Sequence, residues 1–231
     1  MDAVVKAAKK AWHFIWHSDS PLSWAVNILL AYIVIRYLFY PGLGLLFGTA
    51  FPLVAVVSGS MEHGYAPMEN QFGQQVMQEG MIGYQLCGNI IFQEPRRFNT
   101  RSFVDAETYW ETCGAWYEER DITHEEFSQF IFPRGFNKGD IIFIYGEDPK
   151  NIKTGDVIVF VTPMRAEPII HRVIETGDRI TTKGDHNADI GPVDRDIPPE
   201  AIVGKATFRL PWLGWVKIWF IELVSMIRGG S

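Results

Sequence analysis

The stretch TGDVIVFVT, residues 154–162, decides the fold. It is a short run of β-branched and aromatic residues opened by a Gly-Asp pair, which is the signature of a strand. Three runs of the same kind surround it: KGDIIFIYG (138–146), EPIIHRVIE (167–175) and DRITTKGD (178–185), each bounded by Gly, Asp or Pro. No helical stretch lies between them to carry parallel crossovers, so they must pair antiparallel. The expected fold class is mainly β, a barrel-like or folded antiparallel sheet with Val54 to Val57 as its first strand.

Upstream of the β runs the chain reads as a membrane protein. Residues 3–17 place Val5, Ala8, Trp12, Ile15 and Trp16 on one helical stripe, with Lys6, Lys9, Lys10, His13 and His17 on the other side. That pattern suits a helix lying on a membrane surface, expected over residues 1–20. Ser20 then caps a second helix with Pro21 at its first position. From Leu22 to Phe51 the only charged residue is Arg36. A span needs about 20 largely apolar residues, so residues 21–50 are expected to form a single transmembrane helix, tilted or kinked at Pro41-Gly42. Arg36 must snorkel, pair, or sit near an interface, because a charge near the bilayer centre costs at least ~2.5–3.5 kcal/mol. The segment starts too late and runs too long for a cleavable signal peptide, and it lacks a small-x-small site. Three lysines before the span and none close behind it favour a cytoplasmic N-terminus.

Composition narrows the classes further. A chain of 231 residues allows one main globular unit plus extra pieces. The net charge of −6, with no run of Lys/Arg beside aromatics, argues against nucleic acid as a partner. Hydrophobic residues at 47% and eight tryptophans point instead to a lipid bilayer, where Trp rings favour the interface.

Residues 64–133 break the strand pattern and are expected to be an insertion of mixed structure in a β domain spanning 51–207. They contain one clear amphipathic helix at DITHEEFSQFI, capped by Asp121 or Thr123. Cys87 and Cys113 both lie here; on the expected outer side a disulfide is chemically permitted, and buried thiols are an equal alternative. At the C-terminus, residues 208–231, Trp212, Trp215, Trp219 and Leu223 recur at helical spacing beside Lys217 and Glu222. An interfacial helix fits that composition better than a second span.

The chemistry centres on VVSGSMEHG. Ser60 ends an apolar strand beside a glycine that allows close approach of another chain. A serine needs a base, and His171 is the one histidine inside a core strand. His13 and His17 fall in the membrane-proximal helix, His63 in a turn, His124 on a surface helix and His186 in a loop. The acidic loop TKGDHNADIGPVDRD, with Asp185, Asp189, Asp194 and Asp196, reads either as a solvated turn or as the source of a carboxylate that orients the imidazole. No close pair of histidines on one element supports a metal site, and neither metal nor cofactor is expected.

VVSGSMEHG, KGDIIF, IKTGDVIVF, IIHRVI, ITTKGDHN and AIVGKATFRLPWLGWVKI occur in the order of the boxes of type I signal peptidases. The chain resembles the archaeal and endoplasmic-reticulum branch of that family, over about residues 22–62 and 134–222. The resemblance implies a membrane-bound serine endopeptidase that removes signal peptides after small-x-small motifs. Ser60 is then the nucleophile, His171 the general base and Ser58 an oxyanion donor beside the main-chain N–H of Ser60. Asp185 matches the aspartate of the family's Gly-Asp pair. The triad acid stays open between Asp189 and Asp194, because Gly191 occupies the matching position. Implied partners are signal-peptide-bearing preproteins, the lipid bilayer and the protein translocation machinery. The implied setting is the cell membrane or an endoplasmic-reticulum-type membrane, with the catalytic domain extracytoplasmic. Pro52, Val54, Val56 and Ile170 are candidates for the specificity pockets. The rival expectation is a non-catalytic membrane-tethered β domain that binds or assembles, or an inactive relative.

Overall fold

Three helical segments build the N-terminal part of the chain, and their sequence explains where each begins. A computed structural model describes residues 2–94, 102–216 and 218–220 and divides into two units, Met1–Pro52 and Leu53–Ser231. In the first unit α1 spans Asp2–His17. The Trp12–Trp16 and His13–His17 ring pairs lie 5.6 and 5.2 Å apart, as side chains four residues apart on a helix should. Helix α2, Pro21–Val34, starts where the Ser20 hydroxyl accepts from the Ser23 N–H at 3.1 Å. The Ser23 hydroxyl in turn donates to Phe14 O, and the Asn27 amide donates to Ile15 O, tying α2 to α1.

A π turn, Ile35–Phe39, follows without a break and leads into α3, Tyr40–Phe47. Pro41 has no N–H to give the ladder, and the wider turn lies just before it; π turns of this kind commonly absorb such defects. Pro21–Phe47 is one continuous helix of 27 residues, long and apolar enough to cross a membrane.

The second unit is mainly antiparallel β. Its strands are β1 (Leu53–Ala55), β2 (Gly64–Pro67), β3 (Met77–Gln78), β4 (Met81–Leu86), β5 (Asn89–Gln93) and β6 (Ser102–Phe103). Helices α4 (Ala106–Glu118) and α5 (His124–Gln129) come next. The chain continues through β7 (Ile141–Tyr145), β8 (Val157–Thr162), β9 (Arg165–Glu175), β10 (Thr181–Lys183) and β11 (Ile202–Leu210). Six strands form the main sheet in the order β1-β7-β11-β8-β9-β10. The four quoted runs supply β7 to β10, each pairing antiparallel.

Burial explains their composition. In β8, Val157 and Val159 enter one core with Ile142, Ile144 and Ile170, while Ile158 and Phe160 enter another with Ile169 and Val173. A strand covered on both faces must be apolar at every position, hence VIVF; β7 alternates because only Ile142 and Ile144 are fully buried.

The first strand ends earlier than expected, at Ala55 rather than Val57. Val56 leaves the regular ladder yet still bonds the next turn, from its N–H to Asp140 O at 2.9 Å and from the Gly139 N–H to its own O at 2.8 Å. Its side chain is buried, as is that of Met61.

Residues 64–129 hold more order than the single helix read from sequence. β2 to β6 form a second sheet. Helix α4 presents Tyr109, Cys113 and Tyr117 to a core shared with Leu86, Phe127 and Ile174. The helix α5 capping box forms with Thr123, not Asp121, as the cap. Cys87, in the β4–β5 turn, is disulfide-bonded to Cys113 across 26 residues. On the chain-entropy account a loop of that length contributes about 3.5 kcal/mol. Strand β11 runs to Leu210, so the C-terminal helix begins later than 208: residues 215, 216 and 218–220 are helical. Lys217, Glu222 and Leu223 of the expected interfacial stripe lie outside the described residues.

Candidate active site

Two buried apolar anchors, Val56 and Met61, fix the segment that carries Ser58 and Ser60. Met61 O accepts from the Phe136 N–H at 3.1 Å, and Ser60 O accepts from the His186 N–H at 2.9 Å, so backbone is held on both sides of the hydroxyl. Strand β9 supplies His171, opposite Ile158 in the ladder. The Ser60 hydroxyl lies 2.9 Å from His171 Nε2. The other ring nitrogen, Nδ1, lies 2.5 Å from Asp194 Oδ1.

Asp194 ends a short 3-10 turn, Pro192–Asp194, and is 1% exposed. The Thr182 hydroxyl donates to its Oδ1 at 2.7 Å. A carboxylate only accepts, so Nδ1 carries the ring proton and Nε2 turns its lone pair to the serine. Ser60, His171 and Asp194 therefore make one hydrogen-bonded line across residues far apart in sequence.

The other candidates fall elsewhere or at the margin. Ser58 is exposed, with its hydroxyl 3.2 Å from that of Ser60. Asp189 is not at the imidazole: its carboxylate accepts from the Trp116 indole at 3.1 Å and the Ile190 N–H at 2.8 Å, and lies 3.9 Å from Arg120. Those two hydrogen bonds hold its carboxyl below the usual range. The four residues between Asp189 and Asp194 carry the chain from one environment to the other.

Behind the line lies a buried cluster that sequence reading missed. Arg172, wholly buried beside His171, donates from Nε and Nη2 to the two oxygens of Asp185 at 2.9 and 2.7 Å. Its remaining N–H groups reach the carbonyls of Ile131, Phe132 and Gly155. His63 Nε2 lies 3.0 Å from Asp185 Oδ2, and its ring stacks on Tyr109 at 3.5 Å. Burial opposes charge on Asp185, but the Arg172 guanidinium and the bonds from His63 and Arg172 outweigh it and hold the carboxyl far below its usual range. Burial lowers His63, against the pull of Asp185. Lys183 is also buried, and desolvation, opposed by Asp185, brings its ammonium down to about 8. The signal for His63 was weak because its partner lies 122 residues away. Thr182 was legible in principle, since it stands two residues after Ile180, a spacing that places both on the same face of an extended run, and both are buried.

The Ser60–His171 contact opens on a groove of about 620 Å³, walled by Val54, Val56, Ile169, Ile170 and Val193. β1 is an edge strand, and β10 pairs only with residues 172–175 of β9, so the groove runs between β1 and the first half of β9. Of the specificity candidates, Val54, Val56 and Ile170 line it, while Pro52 belongs to the N-terminal unit.

No protein-family model matches the chain. Among curated proteins it is similar to the signal peptidase complex catalytic subunit SEC11 of Scheffersomyces stipitis, 35% identical over 138 residues, covering 55% of this chain and 82% of that protein. The Lachancea thermotolerans protein of the same name is 35% identical over 105 residues, 38% of this chain and 59% of the relative. Signal peptidase complex catalytic subunit SEC11C of Homo sapiens is 36% identical over 99 residues, 36% of this chain and 49% of the relative. The chain thus spans less than two thirds of the length of several relatives that it matches. The coverage of the Scheffersomyces protein is nonetheless enough to place it: this chain belongs to the SEC11 family of signal peptidase complex catalytic subunits, the endoplasmic-reticulum branch of the type I signal peptidases.

Proposed function

We propose that this chain is a membrane-bound serine endopeptidase that removes signal peptides from secreted preproteins. The observation that carries the reading is the line from the Ser60 hydroxyl through His171 to Asp194, 2.9 and 2.5 Å long, opening on an apolar groove. Ser60 is assigned as nucleophile, His171 as general base and Asp194 as the carboxylate that orients the ring and stabilises it once protonated.

The precursor's cleavage segment lies in the groove as an added strand between β1 and the first half of β9. His171 Nε2 takes the Ser60 proton as the oxygen bonds the scissile carbonyl carbon. The oxyanion is met by the Ser58 hydroxyl and the main-chain N–H of Ser60; one such donor is typically worth ~2.7–4 kcal/mol. The imidazolium returns its proton to the departing amine as the C–N bond breaks, leaving an ester on Ser60. Water, deprotonated by His171, then attacks the ester carbon; the bond to Ser60 Oγ breaks, the imidazolium returns its proton to that oxygen, and the signal peptide leaves with a new C-terminal carboxyl group. Val54, Val56 and Ile170 make shallow apolar walls that suit small residues before the cut.

The helix Pro21–Phe47 tethers the β unit to the bilayer from which the substrate emerges, with the N-terminus cytoplasmic and the catalytic unit on the far side. Trp212, Trp215 and Trp219, which line an apolar recess with Leu213 and Val216, are assigned to a lipid headgroup layer, which Trp rings favour. Residues 64–133 are an insertion in the family pattern. Partners are preproteins, lipid, the other subunits of a signal peptidase complex and the translocation machinery.

The test is incubation of detergent-solubilised chain with a labelled preprotein, comparing wild type with Ser60→Ala and His171→Ala. Loss of a single defined cleavage in both variants, with membrane insertion intact, supports the reading. Retained cleavage in Ser60→Ala means a different nucleophile or a contaminating protease and removes it.

A further inference from the structure

Three residues of the segment 64–129 hydrogen-bond to the loop Gly184–Ala188 at the back of the candidate active site. The turn at Cys87 donates its N–H to His186 O at 3.0 Å. The Tyr109 hydroxyl donates to Asp185 O at 2.9 Å, and the Tyr117 hydroxyl to Asp185 Oδ1 at 3.3 Å. Both tyrosines are on α4, and the Cys87–Cys113 disulfide ties α4 to the Cys87 turn. The three contacts therefore come from one cross-linked body.

The loop they hold is the one that holds the reacting groups. The His186 N–H donates to Ser60 O at 2.9 Å. Gly184 packs so closely that a Cβ there would lie 2.9 Å from His171 Nε2. Asp185 also receives Arg172, the neighbour of His171 in β9, and His63, three residues beyond Ser60. The stack of His63 on Tyr109 couples the serine segment to α4 a second time. These groups face away from the groove: none of Cys87, Tyr109, Tyr117 or Asp185 lines it.

We propose that the body formed by β4, β5 and α4 is a positioning clamp for the catalytic loop, with Tyr109 and Tyr117 as positioning residues. Through Asp185 and His186 it sets the distance between the Ser60 hydroxyl and the His171 imidazole. It acts on the chemical step and not on substrate binding. This rests on the peptidase reading given above for the rate measurement, but not for the structural one.

The experiment uses the full detergent-solubilised chain carrying Tyr109→Phe and Tyr117→Phe together, which removes both hydroxyls and keeps both rings. Below the unfolding temperature, kcat for preprotein cleavage should fall about tenfold with KM unchanged within twofold, since loss of alignment taxes the reaction and not the groove. Amide hydrogen exchange should speed up at least tenfold in Gly184–Ala188 while β8 and β9 stay protected. A variant that is less heat-stable but keeps wild-type kcat and wild-type exchange in that loop would overturn the clamp and leave the tyrosines as packing alone. A rise in KM with unchanged kcat overturns it too. If wild type itself cleaves no preprotein, the peptidase reading fails, and the exchange measurement still decides the clamp. Should the double variant fail to fold, Tyr117→Phe, which loses the 3.3 Å contact with Asp185 and the 3.2 Å contact with the Tyr109 hydroxyl but keeps the bond from Tyr109 to Asp185 O, is read by the same two measurements.

Discussion

Gly184→Ala adds one methyl group at the point where the loop, the serine and the histidine meet. The backbone there is not left-handed, so alanine brings no conformational penalty of that kind. Space is the obstacle. The new Cβ would lie 2.7 Å from Asn187 Nδ2, 2.8 Å from Ser60 O and 2.9 Å from His171 Nε2, whereas ordinary contact begins at 3.4 Å. The Asn187 amide can swing aside, but the serine carbonyl and the imidazole must each give by roughly half an ångström. A misplacement of about 1 Å costs on the order of 100-fold in rate, so half of that predicts a loss of about tenfold or somewhat more in kcat. Overpacking of one methyl adds a stability cost of about 1–3 kcal/mol. The assay is steady-state cleavage of a fluorogenic preprotein peptide by the solubilised chain, with thermal unfolding measured in parallel. A folded Gly184→Ala variant with kcat within twofold of wild type would refute the reasoning, since the imidazole would then tolerate displacement or not be the base.

Asp194→Asn should lower kcat by about 1,000-fold or more, because an amide cannot hold the required ring tautomer, while Asp189→Asn, altering only exposed contacts with Trp116, Ile190 and Arg120, should stay within twofold; the reverse order in a cleavage assay contradicts the assignment. Arg172→Met leaves the Asp185 carboxylate buried without its guanidinium and should destabilise the β unit by about 3–5 kcal/mol in denaturant unfolding; a cost near zero would mean that the pair is solvated. Lys183 carries a folded value of about 8 against 10.5 when free, so between those values the unfolded chain binds more protons and stability rises with pH. Thermal unfolding followed from pH 8 to 10 should show that rise in wild type and lose it in Lys183→Met; equal slopes in the two proteins would contradict it. Asp185 works in the opposite range: its depressed carboxyl stabilises the fold above its ordinary value near 3.8 and loses that contribution as pH falls below it.

The main sheet was readable because its strands are apolar at short, bounded intervals. VIVF is apolar without alternation for a physical reason, burial on both faces, and Gly-Asp pairs mark where IIFIY and VIVFVT begin. Ser60 and His171 were readable from chemistry, one in the turn that follows an apolar strand and one inside a strand. The second sheet was not. Its strands GYAP, MQ and NIIFQ are short and partly exposed, and α4 buries Tyr109, Cys113 and Tyr117, residues that leave little trace in a hydrophobic pattern. Asp185 looked like one acidic loop residue among several. Only the fold brings Arg172, His63 and two tyrosines around it and makes it the hub of the buried polar groups behind the serine. The contact of Asp194 with the His171 ring was equally hidden, since it depends on where a 3-10 turn aims its last side chain.

In the proposed mechanism the Ser60 hydroxyl attacks the scissile carbonyl with His171 as its base. The most direct measurement mixes the solubilised chain with a preprotein peptide, quenches in acid within the first turnover, and maps adducts by mass spectrometry. The expected result is an ester adduct with the mass of the peptide's N-terminal fragment on Ser60, present in wild type and missing in His171→Ala. An adduct on another residue, or undiminished acylation of Ser60 without His171, would contradict it.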